Sequence, residues 1–90
     1  IFGGINHLVG TGAKAYAASQ MSDVRMKENI ELVGSDNGFN LYEFNYLNQP
    51  TRWRGVMAHE VMEARPDAVE NRNGLYWVNY DALGMRMEAV

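Results

Sequence analysis

The sequence has 90 residues, 47% of them hydrophobic and 21% charged, which is enough for one modest core and too short for two domains. It contains no cysteine, which excludes disulfides, thiolate nucleophiles and cysteine-based zinc sites. The net charge of -3 and the scattered Lys and Arg argue against a nucleic-acid-binding surface, so we expect no nucleic acid among the partners.

Residues 1–21 differ in composition from the rest of the chain, with many Gly and Ala residues and a single charge, Lys14. Apolar residues recur there at helical steps, namely Phe2, Ile5, Val9, Ala13 and Tyr16. This pattern predicts a Gly-rich entry and a helix over residues 12–21. The segment lacks the basic start of a signal peptide, and its glycines interrupt any membrane span. We expect a Gly/Ala-rich helical arm over residues 1–21 that contacts other chains, outside a domain of residues 22–90.

From Lys27 onward the apolar residues tend toward a period of two, which predicts strands. Ile30 and Leu32 alternate with polar neighbours, and Asp36-Asn37-Gly38 is a turn signal. A second strand ends before Pro50, because proline cannot donate to a strand ladder. The residues expected on one face of that strand are Tyr42, Phe44 and Tyr46. The sequence therefore predicts an early β-hairpin.

The second half predicts a strand, a helix and another hairpin. Residues 52–57 have the pattern of a strand, and residues 58–65 that of a short helix stopped by Pro66. Residues 68–70 and 75–80 flank a four-residue connection rich in Asn and Gly, which is typical of a hairpin.

A last helix is predicted from Asp81, placed as its N-cap, through Leu83 and Met87 to the end of the sequence. The expected fold class is α+β. It consists of a small domain of short antiparallel hairpins and short helices, with the N-terminal helical arm.

The segment from Ser22 to Ile30 matches the S-D-x-R-x-K-x-N-I opening of a known family. This family is the endosialidase-type intramolecular chaperone domain of phage tail spikes and fibres, also described as a self-cleaving Ser-Lys peptidase. Further blocks resemble the family in the right order: Tyr42-x-Phe44-x-Tyr46, residues 55–61, residues 66–69 and residues 78–83. The resemblance covers about two thirds of the chain.

The resemblance implies a function and a set of site residues. In the family, the domain helps three chains of a tail protein find their register and then cuts itself away. Ser22 would be the nucleophile and Lys27 its base, with scission at or beside Ser22, foremost at the Ser22–Asp23 bond. The implied partners are a homotrimer and other phage virion proteins, without a cofactor. The implied location is the virion, tail or capsid-associated, after synthesis in the bacterial cytoplasm.

The five-residue spacing of Ser22 and Lys27 constrains their chemistry. Serine needs a base to take its proton, and lysine serves only if burial favours its neutral form. Residues five apart point to opposite faces of a strand and lie about 140° apart on a helix. A bend or a chain interface must therefore bring the two side chains together. Without the resemblance, Ser22 and Asp23 would be capping or turn residues, and Lys27 a solvated charge.

A second function stays open beside the first. Family members continue past the final block into a long helix that forms a three-stranded coil, whereas this sequence ends at Val90, so we expect that clamp to be absent or short. The sequence also runs uninterrupted from Ile1 through Ser22, which leans toward an uncleaved chain. The alternative is thus an uncleaved structural virion protein, in a tail, head fibre or ejection apparatus, that uses the fold as an interaction domain.

Two other patterns were weighed as sites. The segment from His59 to Glu63 resembles a zinc-binding HExxH without its second histidine, and His7 is the only other histidine. We therefore expect no metal site, with His59 as a helix-start residue. Four aromatic residues could bind carbohydrate, but their alternation in predicted strands favours packing. They are Trp53, Tyr76, Trp77 and Tyr80.

Overall fold

A computed structural model of the chain describes residues 19–90. Their strands are β1 (Ser19–Met21), β2 (Lys27–Asp36), β3 (Phe39–Tyr46), β4 (Arg52–Gly55), β5 (Val69–Arg72), β6 (Leu75–Asn79) and β7 (Glu88–Ala89). Their helices are α1 (Ala58–Ala64), α2 (Tyr80–Leu83) and two 3₁₀ turns, Val24–Met26 and Pro66–Ala68. The small domain of antiparallel strands with two short helices agrees with the predicted fold class.

The strands form two antiparallel sheets. One has four strands in the order β2-β3-β4-β7, and the other has three in the order β1-β6-β5. The chain leaves the smaller sheet at the end of β1 and enters the larger one at β2, with the first 3₁₀ turn between them. This crossing between the sheets is the segment that carries Ser22 and Lys27.

Both predicted hairpins are confirmed. Each closes with an Asn-Gly pair at positive φ, 49° and 86° at Asn37 and Gly38, and 53° and 85° at Asn73 and Gly74. Two successive residues at positive φ match the twist of the flanking strands, which explains why Asn and Gly occupy both turns. The second turn is two residues tighter than predicted, because Asn71 and Arg72 continue β5 and pair with β6.

The predicted strand over residues 52–57 ends at Gly55. Val56 and Met57 leave the sheet and are buried between β4 and α1. The predicted helix follows as α1, and Pro66 comes two residues after its end. The short segment between β4 and α1 is central to the site described below.

The predicted C-terminal helix is wrong beyond its first turn. Asn79 rather than Asp81 caps α2, accepting a hydrogen bond from the Ala82 N–H at 3.2 Å. Gly84 then adopts a left-handed conformation with φ of 69°, which is a common helix end. The chain turns back, and β7 pairs with β4 instead of continuing as a helix.

The predicted arm is corrected at its last three residues. Ser19–Met21 form β1, which pairs with β6 from Ser19 opposite Asn79 to Met21 opposite Trp77. The segment forms a strand because one edge of β6 would otherwise have unpaired backbone N–H and C=O groups, and β1 pairs with them. The rest of the predicted arm lies outside the described residues. β1 therefore adds the three residues before Ser22 to the smaller sheet.

The core lies against β6, the two helices and the segment after β4. Its buried members are Val56, Ala58, Val61, Ala68, Val78, Tyr80, Leu83 and Met85. Of the four aromatic residues weighed above, Tyr80 is buried and the other three are half-buried. The position of Tyr80 agrees with the packing interpretation.

Candidate functional site

Ser22 is held in place by its backbone. It follows β1 directly, and its side chain has no exposed surface. Its N–H donates to the Tyr76 carbonyl at 3.0 Å, and its own carbonyl accepts from the Ala58 N–H at 3.0 Å. Ser22 therefore ties β6 to the first residue of α1.

A tight bend separates Ser22 from Lys27. The 3₁₀ turn Val24–Met26 occupies the space between them, and the Met26 N–H donates to the Asp23 carbonyl at 3.1 Å. Lys27 then begins β2. The five-residue spacing required a bend or a chain interface, and the structure has the bend. Both residues are buried, with Lys27 only 5% exposed, so the solvated-charge interpretation of Lys27 is wrong.

The Lys27 amine lies in a largely apolar pocket. Its Nζ donates to the Val56 carbonyl at 2.9 Å, is 3.7 Å from the Met57 Sδ and lies 4.0 Å from the centroid of the Phe44 ring. Burial lowers the pKa of Lys27 from 10.5 to about 7, although the charge of Asp23 opposes this shift. A lysine with such a pKa is partly neutral at physiological pH and can accept a proton.

Asp23 is a buried, fully bonded carboxylate. One oxygen accepts from the Arg25 backbone N–H and Nε, and the other from Arg25 Nη2 and the Tyr76 N–H. The hydrogen bond from the Arg25 side chain is the main reason that the pKa of Asp23 lies well below its usual range. The first bond confirms the predicted capping role, because it caps the 3₁₀ turn. Asp23 thus fixes the peptide that follows Ser22.

The Ser22 hydroxyl differs from these groups because it lacks a hydrogen bond within the described residues. Among residues 19–90, its Oγ is the one buried side-chain polar atom without a hydrogen-bond partner of ordinary geometry. Lys27 Nζ donates to Val56 rather than to Ser22. The fold therefore gathers Ser22 and Lys27 around the segment from Val56 to Ala58 without joining them directly. Catalytic hydrogen bonds are often long before the reactive complex forms, so the dyad stays a prediction.

Tyr80 is a polar neighbour of Val56, although its sequence pattern predicted only a packing aromatic. Its hydroxyl is buried and accepts a hydrogen bond from the Val56 N–H at 3.0 Å. Burial raises the pKa of Tyr80, which favours the neutral phenol. Tyr80 lies in the last sequence block that resembles the family, and this was the available signal for a role at the site. Its partner Val56 is 24 residues away in the sequence, so the pairing itself could not be predicted.

His59 is exposed on the first turn of α1. No cluster of three or more His, Cys, Asp or Glu residues suited to a metal occurs within the described part of the chain. Within residues 19–90, no helix has the length and apolar character needed to cross a membrane.

The comparison with known families agrees with this site. The profile of the family described as the chaperone of endosialidase matches residues 22–70, which is more than half of the chain. The chain therefore belongs to the chaperone of endosialidase family. The match starts at Ser22, includes Asp23 and Lys27, and ends within β5. Searches of curated proteins and of solved structures gave no match.

Proposed function

We propose that this domain is a virion assembly module of a phage tail fibre or spike. It promotes trimerisation of its parent chain and cuts that chain once, with Ser22 as nucleophile and Lys27 as base. The observation that carries the proposal is that one segment, from Val56 to Ala58, is bonded both to a buried lysine with a pKa near 7 and to a serine whose buried hydroxyl is unpaired. The proposed partners are two further copies and other virion proteins, and the proposed location is the virion.

The cleavage would follow a serine acyl-transfer route. The neutral Lys27 amine takes the proton of the Ser22 hydroxyl in one copy as Oγ bonds to the carbonyl carbon of the scissile peptide in a neighbouring copy of the trimer, because attack on its own carbonyl carbon would close a four-membered ring. The C–N bond then breaks, and the proton passes from Lys27 to the leaving amine. Water hydrolyses the resulting ester to a carboxylic acid and restores the serine. Lys27 must exchange its bond to Val56 for one to Ser22, and trimer assembly would drive that rearrangement.

The Ser22–Asp23 peptide is the proposed scissile bond. Its carbonyl oxygen, that of Ser22, accepts the Ala58 N–H at 3.0 Å. A fixed donor at this oxygen stabilises the negative charge that develops during attack. Asp23, on the other side of the bond, is held by Arg25 and the Tyr76 N–H. The peptide is therefore anchored on both sides.

A denaturing mass measurement on the full chain tests the proposal. Cleavage at Ser22–Asp23 yields fragments of residues 1–22 and 23–90, whereas cleavage before Ser22 yields residues 1–21 and 22–90. Ser22→Ala and Lys27→Ala should each abolish cleavage and leave trimers intact, because removing either member disables the pair. Ser35→Ala, which removes an exposed hydroxyl of β2, is the matched control and should cleave normally. A single intact mass for the unaltered trimer would rule the reaction out.

An uncleaved structural virion protein is the second candidate. The observation that favours it is the bond of Lys27 to Val56 in place of Ser22. In that case the chain stays intact, Ser22→Ala changes neither mass nor assembly, and the fold serves only as an interaction domain. Trimers with an intact mass would distinguish this candidate from the cleaving one.

A further inference from the structure

Asn29 belongs to the opening sequence motif, but the proposed cleavage does not use it. It lies in β2, two residues after Lys27, and its backbone is left-handed, with φ of 55°. Asparagine adopts this conformation more readily than most residues other than glycine. Within a strand, a left-handed residue is typical of an irregularity in the pairing. The backbone of Asn29 therefore needs a structural explanation.

The irregularity is a β-bulge opposite Phe44. The pairing of β2 with β3 shifts by one residue between Glu28 and Glu31. On β3 only Phe44 lies between the partners of these two residues, so Asn29 and Ile30 together face one residue. Two residues opposite one, the first of them left-handed, form a bulge in which Asn29 takes the place that glycine usually has.

The bulge reverses the alternation of side chains along β2. In a regular strand, Lys27 and Leu32 would point to opposite faces, because they are five positions apart. Lys27 pairs with Tyr46, which shares a face of β3 with Tyr42. Leu32 pairs with Tyr42, so the extra residue places Lys27 and Leu32 on one face. Phe44 belongs to the same face, and its ring centroid lies 4.0 Å from the Lys27 Nζ.

Hydrogen bonds to two neighbouring strands hold the bulge. The Asn29 Nδ2 donates to the Asn45 Oδ1 on β3 at 2.9 Å. The Asn29 carbonyl accepts from the Arg52 Nη1 on β4 at 2.7 Å. Asn45 is itself buried, and its Nδ2 donates to the Glu28 Oε2 at 2.8 Å. The extra residue is therefore fixed at one position along β2.

We propose that Asn29 is a positioning residue for Lys27. Its left-handed backbone absorbs the extra residue of β2, and this sets the face on which Lys27 reaches the Val56 carbonyl. Without the bulge, the register from Leu32 onward would turn Lys27 to the other face of the sheet. The consequence for catalysis rests on the proposed self-cleavage, in which Lys27 is the base. Asn29 acts there only through Lys27.

The first test is an NMR titration of the Lys27 side chain in the full chain carrying Ser22→Ala, which lacks the proposed nucleophile. Asn29→Val should raise the pKa of Lys27 from about 7 toward 10.5, because a β-branched residue disfavours positive φ and the amine then loses its buried position. The neutral fraction of Lys27 at pH 6 should fall about tenfold or more. Asn29→Gly keeps the left-handed backbone without the amide, so it should leave the pKa of Lys27 near 7.

Asn73→Val is the matched control. Asn73 has φ of 53° in the turn between β5 and β6, so valine imposes the same backbone strain in a hairpin of the other sheet. The pKa of Lys27 should stay near 7 in this variant. An unchanged pKa of Lys27 in Asn29→Val would overturn the proposal. An equal rise in Asn29→Gly or in Asn73→Val would overturn it as well.

A milder variant covers the case in which Asn29→Val does not fold. Alanine also disfavours positive φ, but its side chain is smaller and unbranched. Asn29→Ala should therefore give Lys27 a higher pKa than Asn29→Gly does. The same pKa in these two variants would show that the left-handed backbone does not position Lys27.

The second test is the cleavage rate of the same variants with Ser22 in place. At pH 6, Asn29→Val should cleave about tenfold or more slowly, and the pH midpoint of its rate should rise together with the pKa of Lys27. Asn29→Gly and Asn73→Val should cleave at the normal rate. A slower rate with an unmoved midpoint would indicate general loosening of the fold and would contradict the proposal. If the unaltered chain stays intact, the proposed cleavage fails, and the titration of Lys27 still decides the role of Asn29.

Discussion

Lys27 is a single residue whose burial costs stability and, in the proposed cleavage, makes its amine a base. A charged amine removed from water destabilises the fold, and the fold responds by favouring the neutral form. Below pH about 7, Lys27 is protonated in both the folded and the unfolded state. Between about 7 and 10.5 the unfolded chain still binds the proton that the folded chain has released, so the free energy of unfolding rises with pH.

Lys27→Met should remove this pH dependence. In the unaltered protein the contribution of Lys27 is as much as about 1.4 kcal/mol per pH unit within that window. The variant should have a flatter profile and a higher free energy of unfolding at pH 6, where the buried charge is most costly. Urea unfolding at pH 6, 7.5 and 9 measures both effects. Arg72→Met, at an exposed cation, should keep the original slope. Equal slopes in all three proteins would show that Lys27 keeps its ordinary pKa.

At the same scale, the sequence identified some residues of the candidate site and could not identify others. Ser22, Asp23 and Lys27 lie within six residues and carry a local motif, so their candidacy was readable directly. Lys27 donates to the carbonyl of Val56, 29 residues away. Every residue has a backbone carbonyl, so the sequence could not indicate which one accepts this bond. Only the fold could place Val56 beside Lys27 and Tyr80 beside Val56.

At the scale of elements, the turns could be predicted from their own residues. The short strands at the sheet edges could not. The Asn-Gly pairs and Pro66 act on their own neighbours, so both hairpins and the end of α1 were readable. Strands β1 and β7 are two or three residues long and exist because a longer strand lies beside them. Their short sequences carry no period of their own, which is why helices were predicted there.

Strand β1 yields a prediction from truncation. A chain that starts at residue 19 keeps the pairing of β1 with β6, and a chain that starts at residue 22 loses it. It also loses the bond from the Tyr46 hydroxyl to the Met21 carbonyl. We expect the first truncation to fold like the full chain and the second to be less stable by about 2–3 kcal/mol, at about 1 kcal/mol per hydrogen bond.

Urea unfolding of the two truncated chains measures the difference in their stability directly. The chain that starts at residue 19 is the control for the chain that starts at residue 22. The result bears on the proposed cleavage, because scission at Ser22–Asp23 cuts β1 from the chain that contains β6. Equal stabilities would mean that β1 adds nothing to the domain.

At the scale of the whole molecule, the edge strand β2 and its neighbourhood expose large hydrophobic side chains. Several large hydrophobic side chains are exposed on and near β2, an edge strand of the four-stranded sheet: Val24, Ile30, Leu32, Val33 and Leu47. Two irregularities interrupt the pairing of β2 with β3, and irregular strands are poor templates for adding a further strand. Contact between chains at this surface should therefore use side chains rather than an extended sheet.

The proposed trimer predicts that this surface is covered by other copies. Leu32 is 60% exposed in the single chain, and burying a leucine stabilises an interface by roughly 1.5–3 kcal/mol. Leu32→Lys should therefore shift the full chain from trimer toward monomer in sedimentation experiments at micromolar concentration, because each interface would lose that burial and gain a charge. Ser35→Lys introduces the same charge on the same exposed strand and should remain trimeric. Circular dichroism should be unchanged in both variants, since neither residue is buried. A trimer that tolerates Leu32→Lys would place the interface elsewhere, and an unaltered chain that sediments as a monomer would remove trimerisation from the proposed function.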